Sequence, residues 1–481
     1  MMTETDLKTD LFIGGAWRPA SSGIRFPVTN PADESVIAEV ASATVPDALS
    51  ALDAAEAAFA GWAGRRPRER ADILRRAFEL MSARAEAFAR LMTLENGKAR
   101  ADAMGEAIYS AEFFRWFSEE AVRIDGQLGM APASGARIMV RHAPAGVAVL
   151  ITPWNFPAAM GARKIAPALA AGCPVIVKPA SETPLTMLAL AALLEEAGVP
   201  PGVVNVIPSR ESGKVVDALL ADMRVRVVSF TGSTQVGRGL LKTASHNVVT
   251  PAMELGGNAP AIVFDDADLE SAVEGVMLAK LRNVGEACTA ANRIYLQSGI
   301  AEAFTARLTE RMASLKVGNG VDPDIDIGPL VNAETRDKVA HFVDDAVAKG
   351  ARCMLGGRVP AGPGYFYPPT VLADVPDNAD CLHDEIFGPV AAIQTFTDQE
   401  DVIARANATE YGLVAYVFTG DLKRGLQVAE KLESGMVGIN RGVVSDPAAP
   451  FGGVKQSGLG REGGHEGIFE FMETQYISVA W

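Results

Sequence analysis

The sequence has few cysteines and histidines, the residues that stabilise disulfide-rich or metal-dependent folds. Its four cysteines, Cys173, Cys288, Cys353 and Cys381, are spread over 481 residues, unlike the dense cysteine framework of a small secreted protein. The five histidines show no ligand spacing and no cysteine clusters with them, so we expect no metal site. This cysteine usage favours a reducing compartment and predicts a cytoplasmic protein.

Long apolar runs and concentrated positive charge are also missing. The most apolar stretches, such as residues 166–177, are too short to span a bilayer, and the polar, acidic residues 1–6 do not resemble a signal peptide. The formal net charge is −15, with acidic and basic residues interspersed and no face rich in lysine or arginine. We therefore expect neither a membrane nor a nucleic acid as a partner.

The chain is long enough for two or three domains, and its pattern changes along its length. Residues 45–122 have a helical composition and predict helices at 46–63, 66–96 and 98–122. Gly97 separates the last two of these helices. A largely helical segment therefore precedes the first series of strands.

From residue 146 onward, short apolar strands alternate with helices. The first series predicts strands at 147–152, 174–177, 203–207 and 225–230, and helices at 157–171, 184–197 and 213–220. Thr183 is a candidate N-cap for the second helix, and Gly198 marks its end. A second series follows Glu254, with a helix at 268–281 and strands at 261–264, 293–297, 389–395, 413–419 and 436–440. This alternation predicts an α/β fold with two separate parallel sheets and a cleft between them.

Four strand ends of the first series carry unusual segments, and ligands of open α/β sheets bind beyond such ends. The segments are Thr152-Pro-Trp-Asn-Phe-Pro, Lys178-Pro-Ala-Ser, Ile207-Pro-Ser and Thr231-Gly-Ser. An indole, an amide, an ammonium group and a Gly-Ser turn suit a dinucleotide. Lys178 by itself is better explained as a solvated lysine at a strand end, but the convergence of four such ends on one edge favours the functional interpretation.

Two matches to phosphate-binding loops are rejected. Residues 458–463 fit the spacing G-x-G-x-x-G but lack a strand–turn–helix setting. Residues 232–237 have the glycine spacing of a P-loop, but Arg238-Gly239 replaces the required Lys-Ser/Thr. The sequence therefore predicts neither a conventional pyrophosphate fingerprint nor a P-loop nucleotidase.

Cys288 and Glu254 are the candidates for covalent and general-base chemistry. Small and polar neighbours surround Cys288, which would leave its sulfur approachable, whereas most free cysteines are buried and inert. We assign that inert role to Cys173 and interpret Cys353 and Cys381, which show no partner residues in the sequence, as structural. Glu254 lies between Met253 and Leu255, so we expect partial desolvation and a raised pKa; the alternative is a surface glutamate.

Six motifs in order carry a resemblance to a known family: Pro153-Trp-Asn-Phe-Pro, Lys178-Pro-Ala-Ser-Glu-Thr-Pro, Phe230-Thr-Gly-Ser, Glu254-Leu-Gly-Gly, the Cys288 segment and Glu385-Ile-Phe-Gly-Pro. With them the chain resembles the aldehyde dehydrogenase superfamily from about Phe12 onward. The resemblance implies a Rossmann-like coenzyme domain (1–122 and 144–254), a second α/β catalytic domain (255–445), and a small β oligomerisation arm and tail (123–143 and 466–481). It also implies a homodimer or homotetramer, with intersubunit strands within 124–142 and 468–481.

The same resemblance implies oxidation of a small aldehyde to a carboxylic acid with NADP or NAD. The Cys288 thiolate would attack the aldehyde carbon, and the Asn155 amide and the Cys288 backbone N–H would bind the resulting oxyanion. Glu254 would activate the water that hydrolyses the thioester. Coenzyme contacts are implied for Thr152, Trp154, Lys178, Ser181, Gly232, Ser233, Leu255, Glu385 and Phe387. Relatives strict for NAD⁺ often have glutamate at position 181, so Ser181 predicts that NADP⁺ is accepted.

Within the superfamily the chain is most similar to succinate-semialdehyde dehydrogenases. Arg163, Arg282 and Ser445 match the positions that bind the distal carboxylate of the substrate in those enzymes, and guanidinium groups suit that task. The alternative for Arg163 is a solvated helix residue beside Lys164. Four aromatic residues either line a substrate tunnel or belong to the core: Phe113, Phe114, Trp116 and Phe117.

Three positions depart from the family pattern. Glu286 stands where glutamine is common and Arg441 where many relatives have an acidic residue, so the identity of the aldehyde stays open, with other semialdehydes and aromatic or aliphatic aldehydes as alternatives. Ala290 replaces a second cysteine of some relatives. Two other hypotheses are a CoA-acylating relative, which Glu254 disfavours, and a catalytically silent protein, which the presence of Cys288, Glu254 and Asn155 disfavours.

Overall fold

The computed structural model of the chain describes residues 7–480; residues 1–6 and 481, which were assigned to the first domain and the tail, lie outside the described residues. Two antiparallel strand pairs and four helices come first: β1 Leu11–Ile13, β2 Ala16–Arg18, β3 Arg25–Thr29, β4 Val36–Ala41, α1 Val45–Ala63, α2 Pro67–Ala83, α3 Ala85–Asn96 and α4 Arg100–Glu120. Two further strands follow: β5 Gln127–Met130 and β6 Arg137–Pro144.

The predicted alternation of strands and helices is confirmed in both series. The first consists of β7 Val147–Ile151, α5 Ala159–Ala171, β8 Val175–Lys178, α6 Pro184–Ala197, β9 Val204–Val206, α7 Ser212–Leu220, β10 Val225–Thr231, α8 Thr234–Ala244 and β11 Thr250–Glu254. The second consists of β12 Ala259–Val263, α9 Leu269–Leu281, β13 Ala291–Gln297, α10 Ser298–Ala313, α11 Ala333–Ala348, β14 Arg352–Leu355, β15 Thr370–Ala373, β16 Val390–Phe396, α12 Gln399–Asn407, β17 Tyr411–Gly412, β18 Val414–Phe418, α13 Leu422–Lys431 and β19 Met436–Ile439.

The C-terminal segment adds three strands: β20 Val454–Lys455, β21 Gly458–Leu459 and β22 Met472–Val479. Short 3₁₀ turns lie at Ser245–Asn247, Arg282–Gly285, Asp380–Leu382 and Glu466–Phe471. These late strands do not form a sheet of their own; each pairs with an earlier part of the chain, β20 with β17, β21 with β11 and β22 with β6.

Two large sheets organise the molecule. The first has the order β2-β1-β9-β8-β7-β10-β11-β21, and its five central strands run parallel. The second has the order β14-β15-β16-β13-β12-β18-β19 and is parallel except at β14. Strands such as β7, with the sequence Val-Ala-Val-Leu-Ile, are buried along their whole length, because helices cover both faces of the sheet. The α/β prediction is confirmed.

One prediction about the helices is wrong, and a second, the N-cap of α6, is confirmed in position but without the expected capping hydrogen bond. The helix expected at 66–96 is two helices separated at Arg84, whose φ of −112° is not helical and whose guanidinium forms two hydrogen bonds with Glu196. No glycine or proline marks this break in the sequence. Thr183 does occupy the N-cap position of α6, but its hydroxyl donates to the Trp154 carbonyl (3.3 Å), and the buried Glu95 carboxylate accepts the first backbone N–H groups instead.

Gly97, by contrast, ends α3 as predicted. Its φ of +91° lies in the left-handed region, and a Cβ atom there would come within 2.8 Å of Pro329 Cγ. Glycine satisfies both constraints, since it has no Cβ atom. The turn directs the next residue, Lys98, into the interior, where its side chain is fully buried.

The four aromatic residues of α4 belong to the core rather than to a tunnel. Phe113, Phe114 and Phe117 are at most 1% exposed and pack with helices α2, α3 and α5. Trp116 is partly buried against this core, and its indole N–H donates to the Gly464 carbonyl (2.9 Å). The core interpretation is therefore confirmed.

The predicted arm and tail form one small sheet of order β22-β6-β5 within the chain. This sheet exposes several apolar side chains, including Leu128, Met130 and Tyr476. The division into domains at residues 122, 143, 254 and 445 stays a prediction. Within residues 7–480, every helix is too short or too polar to cross a membrane.

Candidate active site

A cleft of about 210 Å³ lies between the carboxyl ends of strands of the first sheet and the amino ends of β13 and β16 in the second sheet. Loops after β7, β10 and β11 form one wall, and the second sheet contributes the other. The cleft is lined by Pro153, Trp154, Asn155, Thr231, Gly232, Ser233, Leu255, Gly256, Cys288, Thr335, Lys338, Glu385 and Phe387. Eight of the predicted site residues, from segments more than 200 residues apart, are thus brought together. Thr152, Lys178, Ser181, Glu254 and the three predicted carboxylate-binding residues lie outside this lining.

Cys288 lies in the cleft after a tight turn. Asn283 and Val284 have left-handed φ values of +54° and +60°, so the chain reverses sharply before the cysteine. Burial raises the pKa of the thiol to about 12, against the opposing effect of the Arg163 and Arg282 guanidiniums. The thiol therefore has to transfer its proton to a base before it can attack an electrophile.

The remaining cysteines differ from Cys288 in their surroundings. Cys173 is buried, and its thiol donates to the Phe471 carbonyl (3.2 Å). Cys381 is buried beneath the second sheet, and Cys353 is exposed on β14. None of the three lines the cleft. All four cysteines lie in the described part of the chain, and Cys288 is the one that lines the cleft.

Asn155 lies in the irregular loop between β7 and α5 and is buried. Its side-chain Nδ2 donates to the Glu286 carbonyl (3.1 Å), and its Oδ1 accepts from the Phe156 N–H (3.1 Å). An amide has two N–H donors. The hydrogen bond to Glu286 uses only one of them, and Asn155 lines the same cleft as Cys288.

Glu254 ends β11 and is only 3% exposed, so the alternative of a surface glutamate is wrong. Neither carboxylate oxygen has a hydrogen-bond donor among residues 7–480. Burial, followed by the charge of Glu462, raises the pKa of Glu254 well above its usual value, and Arg163 and Lys164 oppose the shift. A buried carboxyl group of this kind is suited to accept a proton at neutral to alkaline pH.

Glu462 was missed by the sequence analysis. Its two carboxylate oxygens form buried ion pairs with Arg163 Nε and Lys164 Nζ, and Lys164 Nζ also donates to Ser229 Oγ (2.9 Å). The idea that Arg163 is a solvated helix residue is therefore wrong. Glu462 belongs to residues 458–463, and no local pattern there indicated that its partners lie about 300 residues earlier.

A positively charged group of residues lies close to Cys288. The Arg163 guanidinium stacks over Phe451 (3.9 Å to the ring centre), and its Nη2 has no partner in the described part of the chain. Arg282 stacks over Phe156 at 5.0 Å. Both guanidiniums act electrostatically on Cys288 and on Tyr109, whose pKa burial raises.

Tyr109 is a second residue that the sequence analysis missed. It lies on α4 and packs with Phe156 and Met160, and its hydroxyl is buried beside Ser445. A tyrosine in a helix rich in aromatic residues gave no sign that its hydroxyl lies near Arg163 and Arg282. The predicted residues Arg163, Arg282 and Ser445 thus share one neighbour.

The first sheet carries the predicted coenzyme residues at its strand ends. Lys178 ends β8, where it pairs with Ile151, and its carbonyl accepts from the Thr152 N–H (3.2 Å). Burial lowers the pKa of Lys178 to about 8, and the Glu182 carboxylate opposes the shift. Ser181 Oγ donates to the same carboxylate (3.3 Å). An acidic side chain therefore lies next to Ser181, on Glu182.

The N-terminus of α8 opens into the cleft beside Gly232 and Ser233. Ser233 is the N-cap, and its hydroxyl accepts from the Val236 N–H (3.4 Å). The Gly232 N–H donates to the Glu254 carbonyl (3.1 Å), so this group does not point at a ligand. The helix N-terminus itself, with its partial positive charge, still suits a phosphate.

The opposite wall carries Glu385 and Phe387. Burial raises the pKa of Glu385 to about 7, and its Oε1 accepts from the Gly257 N–H (3.3 Å). Phe387 has a left-handed φ of +56° and packs edge-on against Trp154, with 5.5 Å between ring centres. A flat apolar floor and a carboxyl group at its edge fit a nicotinamide nucleoside.

Glu286, one of the departures from the family pattern, is a buried carboxyl group. Glu286 Oε1 accepts from the Val331 N–H (3.0 Å), and burial raises the pKa of this carboxyl group to about 8. The residue therefore adds little negative charge at neutral pH.

In the described chain, no group of three or more histidine, cysteine, aspartate or glutamate residues is placed to hold a metal ion.

Comparison with known proteins decides the family. The model of the aldehyde dehydrogenase family matches residues 17–477. The chain belongs to the aldehyde dehydrogenase family. It is 56% identical over 445 residues to a succinate-semialdehyde dehydrogenase of Paenarthrobacter nicotinovorans, covering 92% of this chain and 99% of the relative. It is 46% identical over 467 residues to the succinate-semialdehyde dehydrogenase (NADP⁺) GabD of Escherichia coli strain K12, covering 97% of each chain.

The solved structures agree with this assignment. A succinate-semialdehyde dehydrogenase from Burkholderia pseudomallei superposes with a TM-score of 0.98 at 45% identity, covering 100% of both chains. The predicted family and fold are confirmed, and the protein is an aldehyde dehydrogenase, an enzyme that uses NAD(P). The roles of individual residues stay predictions.

Because Glu254 is buried, we expect its replacement to change both the thermal stability and the activity of the enzyme. Between its usual pKa of 4.5 and its raised value, Glu254 binds more protons in the folded than in the unfolded protein, so stability falls as the pH rises through this window. We expect Glu254→Gln to raise the thermal midpoint at about pH 8. The same variant should slow steady-state turnover by about 100-fold or more, because the general base is lost.

Both quantities can be measured on one preparation, by scanning calorimetry and by absorbance of the reduced coenzyme. Glu302→Gln, at an exposed position, is the matched control and should change neither. A Glu254→Gln enzyme that turns over at the parental rate would contradict the assigned base, and one that is less stable at alkaline pH would contradict the buried, protonated carboxyl group.

Proposed function

We propose that this aldehyde dehydrogenase oxidises a short aldehyde with a carboxylate at its far end, with succinate semialdehyde as the first candidate. The observation that carries the proposal is the positive group near Cys288, formed by Arg163 and Arg282 with the hydroxyls of Tyr109 and Ser445. Arg163 and Lys164 share a single carboxylate, that of Glu462, in their ion pairs.

The chemistry follows from the chain's own groups. The Cys288 thiol transfers its proton to Glu254, which passes it on to solvent, and the sulfur forms a bond to the aldehyde carbon. The carbonyl oxygen becomes an oxyanion, held by the second Asn155 N–H. The coenzyme supplies the acceptor for the hydride that leaves this carbon, which converts the adduct into a thioester. Glu254 then removes a proton from water, the hydroxide attacks the thioester carbon, and the C–S bond breaks to release the acid and the Cys288 thiolate.

The carboxylate preference depends on charge-assisted hydrogen bonds. Such bonds are worth about 1.5–3 kcal/mol each, which corresponds to a factor of roughly 10–150. We expect Arg282→Met to lower kcat/KM for succinate semialdehyde by a factor in this range and to leave kcat/KM for butanal, which has four carbons and no charge, within about 3-fold. Tyr109→Phe should act in the same direction more weakly, since it removes one neutral hydroxyl.

Steady-state kinetics with succinate semialdehyde, glutarate semialdehyde and butanal test this. Arg358→Met, which removes an exposed arginine, controls for the loss of a charge as such. The substrate proposal fails if butanal is the best substrate of the parent enzyme, or if Arg282→Met affects butanal and succinate semialdehyde equally.

The coenzyme proposal is that NADP⁺ is accepted alongside NAD⁺. Ser181 places a small neutral side chain after the buried Lys178, so nothing at position 181 repels a 2′-phosphate. We expect Ser181→Glu to raise KM for NADP⁺ much more than KM for NAD⁺, because only NADP⁺ carries that phosphate. Ser181→Gln has the same bulk without the charge and separates repulsion from steric hindrance. Equal changes for both coenzymes in Ser181→Glu would refute the assignment.

We also propose that the enzyme is a homodimer or homotetramer assembled through the β5–β6–β22 sheet. The exposed fractions of Leu128 (73%), Met130 (57%) and Tyr476 (58%) are large for apolar side chains on one small sheet. Light scattering should give a mass of two or four chains, and Leu128→Glu with Met130→Glu should reduce it. A monomeric parent enzyme would exclude the proposal.

A further inference from the structure

The loop that carries Asn155 has no regular structure of its own. It runs from the end of β7 to the start of α5, and the Asn155 side chain makes only short contacts with its own loop and the Glu286 carbonyl. The position of the amide therefore depends on what holds the loop backbone. That support comes from the junction of α3 and α4, more than 40 residues earlier.

Lys98 holds the loop at Asn155 itself. Its Nζ donates to the Asn155 carbonyl (2.7 Å) and to Glu106 Oε2 (2.5 Å), and both charged side chains are completely buried. Its ammonium group also lies over the Phe156 ring, 4.3 Å from the ring centre. The Lys98 ammonium group thus contacts two consecutive residues of the loop: the carbonyl oxygen of Asn155 and the ring of Phe156.

Glu106 holds the other end of the same loop. Its Oε1 accepts from the backbone N–H groups of Ala158 (2.9 Å) and Ala159 (3.1 Å), at the first turn of α5. A carboxylate at a helix N-terminus is favourable, since it meets unpaired donors and the positive end of the helix dipole. The Lys98–Glu106 ion pair therefore contacts both ends of the loop, the Asn155 carbonyl and the start of α5.

A buried ion pair is weak evidence for stability, because taking two charges out of water offsets most of their attraction. This pair uses its remaining hydrogen bonds entirely on the loop of the oxyanion donor. Asn283, in the turn before Cys288, donates its Nδ2 to the same Asn155 carbonyl (2.9 Å). The loop and the nucleophile turn are therefore fixed relative to each other at one oxygen atom.

We propose that Lys98 and Glu106 are positioning residues of the aldehyde oxidation, which keep the free N–H of Asn155 directed at the oxyanion on Cys288. They do not touch the substrate and act only through the backbone of residues 155–159. The inference rests on the proposed role of Asn155 in binding the oxyanion.

The test compares Lys98→Met, Glu106→Gln and the double variant Lys98→Met/Glu106→Gln, which removes both charges and avoids leaving one buried ion unpaired. We expect the double variant to lower kcat per titrated Cys288 thiol by about 30–100-fold, the effect of a misplaced group, with KM for aldehyde and coenzyme within about 3-fold. Lys98→Arg, which keeps a cation and hydrogen-bond donors at this position, should retain a higher kcat than Lys98→Met.

The decisive measurement repeats the double substitution in an Asn155→Ala background. If the pair acts through Asn155, the added substitutions should lower kcat there by less than about 3-fold, because residues that act as a unit are not additive. Arg70→Met is the control. Arg70 is a buried cation that donates to the Ala170 carbonyl (3.0 Å) at the far end of α5, so its loss should lower the thermal midpoint and leave kcat per thiol unchanged.

The outcomes distinguish a failure of the proposed role of Asn155 from a failure of the positioning role of Lys98 and Glu106. If Asn155→Ala alone leaves kcat unchanged, the proposed role of Asn155 is wrong and the inference falls with it. If Asn155→Ala slows the enzyme and the double substitution multiplies that loss in full, or changes only the thermal midpoint as Arg70→Met does, the role of Asn155 stands and the positioning role of Lys98 and Glu106 is overturned.

Discussion

The bridging of two buried cations by Glu462 is the interaction on which the packing of α5 near Glu254 depends. Arg163 and Lys164 are neighbours on α5 and are at most 2% exposed, so without a shared counter-ion the helix would place two unpaired charges in the interior. Removing one partner of such a group costs about 3–5 kcal/mol. Glu462 comes from the segment that follows β21, and β21 pairs with β11 at Glu254, so this ion pair and Glu254 are held by the same segment of chain.

Desolvation shifts the protonation equilibria of the buried ionisable groups in the same direction, toward the neutral form. Burial raises the pKa values of Cys288, Glu254 and Glu385 and lowers that of Lys178, so each neutral form is favoured in the folded protein. A carboxyl group without hydrogen-bond partners is unfavourable for folding and useful for catalysis, since it binds a proton readily. The cleft therefore trades some stability for reactivity, as expected where catalytic groups are kept from water.

Local structure was predictable where the chain's own chemistry decides it. Helix α6 has the predicted bounds, and Gly97 and Gly198 both end helices in the left-handed conformation. The break at Arg84 was not predictable, because it coincides with a contact to Glu196, 112 residues later, and has no glycine or proline. The same holds for the N-terminus of α6, where Glu95 rather than Thr183 receives the N–H groups.

By itself the sequence determined the α/β class, the two series of strands and the motifs that carry Cys288, Asn155 and Glu254, because hydrophobic period, turn residues and short motifs are local in the chain. Only the tertiary structure decided that Glu462 pairs with Arg163, that Tyr109 reaches Ser445 and that Lys98 and Glu106 support the Asn155 loop. These contacts join residues some 50 to 340 positions apart, and a side chain's partner at that distance depends on how the sheets pack, which no local pattern records.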